Sequence, residues 1–317
     1  MFLIGGGGYL GSILLHELIK RNVFVHVLDY CLYGLDAFSG VNEGEQFTLY
    51  RNDFCAINRE YKIDTGNVPS VIINLIDYPV ELSTKQYEHM IEQEISALGR
   101  VIDLFPNVRV IQCGTWKKYL LNEYAKMMFA RDVKLDFLFN ARGIQYEFIS
   151  IPELVGPAPR VRFDTLLNDK VIHAYVSGNI IASTNRFKIP CASVFDIAKY
   201  ILDSINSVYD ANNKYKILFD EFMTQADIAV LIKRIAFHEF GLDWPIVINS
   251  EPNVNVTMPS EKLNKIINVY GIDGGIRQIL QGLSNEEVGN PTDIHYYNDL
   301  FYKLKLEMET LPLVGAI

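Results

Sequence analysis

The sequence predicts an α/β fold: a doubly wound parallel sheet of Rossmann type with a smaller α/β substrate lobe. Three observations carry this. The chain opens with a short apolar strand, Met1 to Ile4, that runs straight into a glycine loop, Gly5 to Gly11. Strand-like and helix-like segments then alternate as far as Ile151. Several strand segments are near-continuous apolar runs, as parallel strands buried on both faces require.

In chain order, Gly5, Gly8 and Gly11 have the G-x-x-G-x-x-G spacing of a strand–turn–helix nucleotide cradle. Glycine serves there for a tight turn, for close backbone approach to a pyrophosphate and for close helix–strand packing. The helix read from Ile13 to Arg21 would point its unpaired N–H groups and its dipole at the anion. Tyr9 and Leu10 fall within the same loop. The next strand, Val23 to Leu28, ends in Asp29, where a carboxylate is expected to grip the adenosine ribose hydroxyls. Phe47 to Arg51 reads as a third strand, followed by Asp53, either an adenine contact or a turn carboxylate. Val71 to Ile76 is a buried strand leading into Asp77, and a helix spans Thr84 to Leu104. Val108 to Thr115 is a strand ending in a small hydroxyl residue, a second long helix runs from Tyr119 to Arg142, and Tyr146 to Ile151 closes the series. Ligands of such sheets bind at the carboxyl ends of the strands, the edge that Gly5 to Gly11, Asp29, Asp53, Ile76, Asp77 and Thr115 would share.

Beyond Pro152 the texture becomes less regular. Pro152, Pro157 and Pro159 punctuate a loop, Val194 to Ile205 is an amphipathic helix, and Thr224 is a plausible N-cap for a helix to Ala236. The reading is a dinucleotide-binding domain over 1–152, with a returning segment near 190–206, and a substrate lobe over 153–189 and 207–317. A terminal helix is expected near the C-terminus.

Composition narrows the function classes. With 317 residues, 49% hydrophobic content and a net charge of −9, nucleic acid and anionic membrane are poor partners. Cys31, Cys55, Cys113 and Cys191 are scattered, and no histidine has a neighbour at ligand spacing, so no disulfide framework or metal site is expected. No apolar run reaches the roughly 18 residues that span a bilayer. Met1 leads directly into the first strand, and a cytoplasmic location is the default expectation.

These segments resemble the extended short-chain dehydrogenases/reductases, the NAD-dependent nucleotide-sugar epimerases, dehydratases and 4-ketoreductases, over about residues 1 to 285. Gly5 to Ser12 is similar to the family's cofactor loop, and Val71 to Ile76 and Val110 to Thr115 are similar to its fourth and fifth strands. Tyr124 falls where its Tyr-x-x-x-Lys begins. Val155-Gly156-Pro157, Val194 to Ala198 and Ser260 to Leu263 resemble later landmarks. The resemblance implies NAD as cofactor, Thr115 orienting the reacting oxygen, Tyr124 as acid/base, and a homodimer through the helices Thr84–Leu104 and Tyr119–Arg142. Leu120, Leu121, Met127 and Phe129 supply apolar surface for such a dimer. Arg160 and Arg162 are candidates for holding a substrate diphosphate.

Departures from the family pattern concentrate around the chemistry. A phenol with a pKa near 10 needs a cation to act at neutral pH, and the position four after Tyr124 is Met128 rather than lysine. Lys126 lies about 200° round the helix and points elsewhere; Tyr119 is followed four positions on by Glu123. Glu94, Ser150 and Val155 replace a family Asn, Arg and Tyr. Asp77 stands where a small residue is usual, either as a surface loop residue or as an acid facing the nicotinamide. Two readings stay open: an enzyme with weak activity that rises towards alkaline pH, or a dinucleotide-binding scaffold, sensor or partner subunit without turnover.

Overall fold

The strand–helix alternation expected for the first half is present in the computed structural model, which describes residues 1–52, 68–78, 82–105, 107–251, 256, 258–300 and 303. Strands β1 (Phe2–Ile4), β2 (Val25–Asp29), β3 (Phe47–Arg51), β4 (Val71–Asn74), β5 (Arg109–Thr115) and β6 (Gln145–Ile151) are joined by three late strands, β7 (Glu153–Val155), β8 (Ile180–Ser183) and β9 (Ile189–Ser193). Then come β10 (Tyr215–Phe219), β11 (Glu221–Met223), β12 (Ile246–Asn249) and β13 (Leu263–Lys265). Helices are α1 (Tyr9–Lys20), α2 (Thr84–Leu104), α3 (Glu123–Ala141), α4 (Leu166–Ser177), α5 (Val194–Ile205), α6 (Gln225–Phe240) and α7 (Gly271–Ser284).

One eight-stranded sheet has the order β13-β10-β6-β5-β4-β1-β2-β3, and its pairings are parallel. The order reverses at β1, which pairs β2 on one side and β4 on the other. That topological switch opens a crevice at the strands' carboxyl ends. Phe2, Leu3 and Ile4 are fully buried because helices cover both faces. Leu14, Leu15 and Ile201 of α1 and α5 belong to the core on one face, and Leu98, Val101 and Phe139 of α2 and α3 to the core on the other.

Capping fixes the helix starts that matter. Ser83 and Gln86 form a reciprocal capping box at α2, as Thr224 and Asp227 do at α6. The second long helix begins at Glu123 rather than Tyr119, because the Asn122 side chain accepts from Ala125 N–H (2.8 Å) and takes the N-cap. Trp116–Tyr119 forms a separate short turn of 3₁₀ helix. The large sheet also takes in β10 and β13, two segments that the sequence reading places in the second lobe. The remaining strands form two small sheets, β11-β9-β7 and β12-β8. Asp53, Cys55 and the expected terminal helix lie outside the described residues. Cys31, Cys113 and Cys191 are free and buried. Among the described residues no helix is long and apolar enough to cross a membrane, and no group of His, Cys, Asp and Glu is placed to hold a metal ion.

Candidate active site

A cleft of about 420 Å³ opens over the switch point, lined by the glycine loop, Asp29, Ile76, Asp77, Thr115 and Tyr124 among others. The loop depends on missing side chains. Gly5 has φ +81°, and its N–H donates to Leu28 O at 2.9 Å, so the turn follows β1 directly. A Cβ at Gly11 would stand 2.2 Å from Gly5 O, so only glycine lets α1 pack this close. A Cβ at Gly8 would meet only Gly5 O, at 3.3 Å, a tight contact but a far milder one than at Gly11. Gly8 is the N-cap of α1 and offers no side-chain cap, so the helix start presents bare N–H groups, as an anion site requires.

Asp29 ties the loop to β2. One carboxylate oxygen accepts from Gly7 N–H (2.8 Å) and the other from Cys31 N–H (2.7 Å). Burial nonetheless pushes its carboxyl above the ordinary value, against those two bonds and the charge of Arg160. Tyr9 reaches across to the second lobe: its hydroxyl donates to Gly156 O (2.5 Å) and accepts from Asn168 Nδ2 (3.1 Å). Leu10 lines the cleft beside it.

At the other end of the cleft, Tyr124 Oη donates to Asp77 Oδ1 at 2.9 Å. Burial, then the Asp77 charge and this bond, push the phenol far above its usual value; Arg131 opposes the shift. Met128 is buried with Tyr78, Tyr87, Ile91 and Tyr124 in a small apolar cluster. Lys126 is exposed and pairs with Glu123, as the helical geometry requires. Thr115 Oγ1 accepts from Lys117 N–H (3.1 Å) and caps the following turn; a hydroxyl that accepts one bond can still donate one. Lys117 Nζ lies 3.1 Å from Glu153, whose carboxylate also takes Trp116 Nε1–H at 3.1 Å. Burial alone would raise Glu153; Lys117 and these donors hold it below its ordinary value.

A fully buried network supports the loop that carries Asp77. Arg131 donates twice to Glu94 (2.6 and 2.7 Å) and once to Ile76 O (3.0 Å). Asn74 Nδ2 bridges Glu94 Oε1 (2.8 Å) and Gln112 Oε1 (2.9 Å), and Asn74 Oδ1 receives Ile76 N–H (3.2 Å). Tyr78 adds a 2.5 Å bond to Glu94. Neither Arg131 nor its role is apparent from motif spacing, although it stands seven after Tyr124, on the same helix face. Glu94, noticed as a departure, is its counter-ion.

The two candidate arginines separate. Arg162 lines the cleft, 2.6 Å from Asp164 and 3.5 Å from Asp299. Arg160 is 1% exposed, with Nη2 donating to His295 O (2.7 Å) and to Asn298 Oδ1, and its guanidinium 4.6 Å from the Tyr33 ring centre. The segment after α7 thus folds back over the cleft, bringing Asn298 and Asp299 into its lining. Nothing in the sequence pattern marks those two residues.

No family model matches this sequence, and no curated protein sequence does either. Solved structures do match. The dTDP-glucose 4,6-dehydratase of Bacillus anthracis, determined with NAD, has a TM-score of 0.70 at 12% identity over 94% of this chain and 98% of that one. The UDP-N-acetylglucosamine 4-epimerase of Methanobrevibacter ruminantium gives 0.65 at 15% identity, over 90% and 98%. The UDP-glucose 4-epimerase of Thermotoga maritima, determined with UDP-glucose, gives 0.65 at 13%, again over 90% and 98%. The chain therefore shares, over nearly its whole length, the fold of these nucleotide-sugar epimerases and dehydratases.

Proposed function

We propose that this protein is an extended short-chain dehydrogenase/reductase that binds NAD and oxidises or reduces a ring carbon of a nucleotide-linked sugar. One observation carries the reading: a side-chain-free glycine cradle and Asp29 share a single cleft with Thr115 and Tyr124. The cradle fits the cofactor, since Gly5, Gly8 and Gly11 keep side chains out of the loop and the first turn of α1 offers backbone N–H groups to a pyrophosphate. Asp29 would take the ribose hydroxyls and Ile76 would flank the nicotinamide. Bound there, NAD supplies hydride chemistry at carbon. Thr115 would hold the reacting oxygen and Tyr124 would move its proton. Arg162, at the cleft wall, would meet the diphosphate; Arg160 would act one layer behind, through the segment it fixes. Residues 153–189, with parts of 207–317, would form the substrate lobe. Neighbours of the same fold determined with NAD or nucleotide-sugars support the pairing of ligands.

A second reading, an NAD-binding protein without turnover, is favoured by the apolar cluster around Met128, which leaves Tyr124 without the family's lysine. Calorimetry with NAD and NADP, followed by turnover of a panel of UDP- and dTDP-hexoses by the native protein and Tyr124→Phe, separates the two. The enzyme reading expects NAD binding and turnover that Tyr124→Phe abolishes. Binding with no turnover of any hexose selects the scaffold.

A further inference from the structure

The reacting corner holds the apolar Met128 where the resembling enzymes place a cation, and a carboxylate, Asp77, on the Tyr124 hydroxyl, which changes where a proton can go. From the 2.9 Å bond between Tyr124 Oη and Asp77 Oδ1, at a cleft wall that both residues line, we infer that Asp77 is the terminal proton acceptor and Tyr124 a neutral relay. The inference rests on the enzyme reading above.

The geometry is built rather than incidental. The Asp77 loop is held from below by Arg131 at Ile76 O and by Asn74 at Ile76 N–H, and Asp77 Oδ1 also receives Tyr78 N–H at 2.9 Å. Tyr124 is 4% exposed, with its ring 6.0 Å from that of Tyr87, so its hydroxyl has little freedom to turn away. Asp77 is exposed to the cleft. The charged and titratable groups facing this pair are Arg131 on α3, Tyr87 on α2, Lys117 after β5, and Arg162 and Asp299 from the second lobe.

A phenol in such a setting does not become a phenolate at neutral pH, so it cannot by itself remove a hydroxyl proton. A relay avoids that requirement. When a secondary alcohol of the sugar gives up hydride to the oxidised nicotinamide, its O–H bond breaks and the proton passes to Tyr124 Oη. In the same step the original Tyr124 O–H bond breaks and that proton passes to Asp77 Oδ1. The products are a ketone, the reduced dinucleotide and a protonated Asp77, with atoms and charge balanced. Reduction runs the same path backwards. No cation at position 128 is needed, and activity need not wait for alkaline pH.

The test uses the full chain in two states. Without any ligand, ¹³Cζ-tyrosine NMR follows Tyr124, identified by the signal lost in Tyr124→Phe. Its shift should respond as pH is lowered, and this response should vanish in Asp77→Asn. With NAD and the hexose panel, Asp77→Asn should lose about 100-fold or more in kcat with KM little changed. Its residual rate should climb towards alkaline pH, and Asp77→Glu should recover part of the loss. A flat Tyr124 signal in the native protein overturns the relay, as does an Asp77→Asn variant that keeps its kcat and pH profile. If the native protein turns over no sugar, the enzyme reading fails and the relay falls with it. A native protein as active as Asp77→Asn removes the relay alone.

Discussion

At the glycine end of the cleft, Asp29 apart, polar atoms come from the backbone and side chains are kept out of the loop; at the Tyr124 end, polar atoms come from side chains braced by a buried network. The first arrangement is fixed by a few steric facts: Gly5 at positive φ, and Gly11 and Gly8 close against Gly5 O. The second depends on partners far apart in sequence, Glu94 with Arg131, Asp77 with Tyr124 and Lys117 with Glu153. A backbone cradle tolerates little change and announces itself through glycine. A side-chain network can exchange one charged group for another and still keep its shape. Departures from a familiar pattern are therefore expected at the second end and not at the first.

The largest expected effect on ligand binding breaks the steric end. Gly11→Ala puts a Cβ 2.2 Å from Gly5 O, which only displacement of α1 can relieve. We expect a loss of about 1–3 kcal/mol in stability and at least a roughly 100-fold loss in NAD affinity, by denaturant titration and calorimetry. Gly8→Ala sharpens the point, since its Cβ meets only Gly5 O, at 3.3 Å rather than 2.2 Å. It should bind NAD more weakly while losing clearly less stability than Gly11→Ala. Equal loss of stability in both variants would mean that Gly8 is structural and the cradle is not a ligand surface.

This difference also explains what the sequence disclosed. Gly5, Gly8, Gly11 and Asp29 were legible because a nucleotide cradle requires a residue type at a spacing, and the helix Thr84–Leu104 was legible from apolar positions at helical spacing. Thr115 and Tyr124 were placed by the resemblance, and both line the cleft. Glu94 stood out only as an anomaly, and Arg131 did not stand out at all. A buried ion pair is a contact between α2 and α3, and one-dimensional spacing carries no record of it. Arg160 could be read as a surface arginine or a diphosphate ligand; it is buried beneath the segment carrying His295 and Asn298, whose return over the cleft no local pattern foretells.

The largest expected effect on stability alone lies at the network end. Glu94→Gln leaves the Arg131 guanidinium buried without its counter-ion, a change that costs about 3–5 kcal/mol in comparable sites. Met128→Leu, in the apolar cluster beside it, conserves volume and should cost less than about 1.5 kcal/mol. Urea unfolding of both variants measures the contrast. A Glu94→Gln loss no larger than that of Met128→Leu would show that the network does not carry the loop.

The outer face of the same helix gives a smaller effect. Phe129, Val133 and Phe137 recur at helical spacing on α3 and are 56%, 54% and 76% exposed, and Leu121 nearby is 86% exposed; Leu120 and Met127 are half-buried. We expect a two-fold homodimer through this face. Phe129→Ser and Phe137→Ser should each weaken it by on the order of 2 kcal/mol, about thirtyfold in Kd. Light scattering that finds the native protein monomeric at micromolar concentration overturns the dimer.

The smallest effect returns to the glycine end and turns on a single carboxyl. Asp29 would accept the ribose hydroxyls of NAD, and its charge would repel the extra phosphate of NADP; Tyr30 to Tyr33 brings no cation to offset it. NAD should therefore bind more tightly than NADP, and Asp29→Asn should narrow the gap by about tenfold. The same group sets a pH dependence. Its folded value is raised by burial above the ordinary 3.8, so in the folded state it holds its proton to higher pH than in the unfolded chain. Its contribution to stability is complete below the unfolded value and is lost as pH rises through the folded one. Ligand affinity should run the other way. As pH falls through the raised value the acceptor charge disappears, and NAD binding should weaken by about tenfold. Calorimetry and urea unfolding across this acid range, on native protein and Asp29→Asn, check both signs. In the native protein, relative to the variant, stability should rise and NAD affinity should fall as pH drops. An NAD affinity with the same pH dependence in both proteins would show that Asp29 only braces the loop through Gly7 and Cys31 and never touches the ribose.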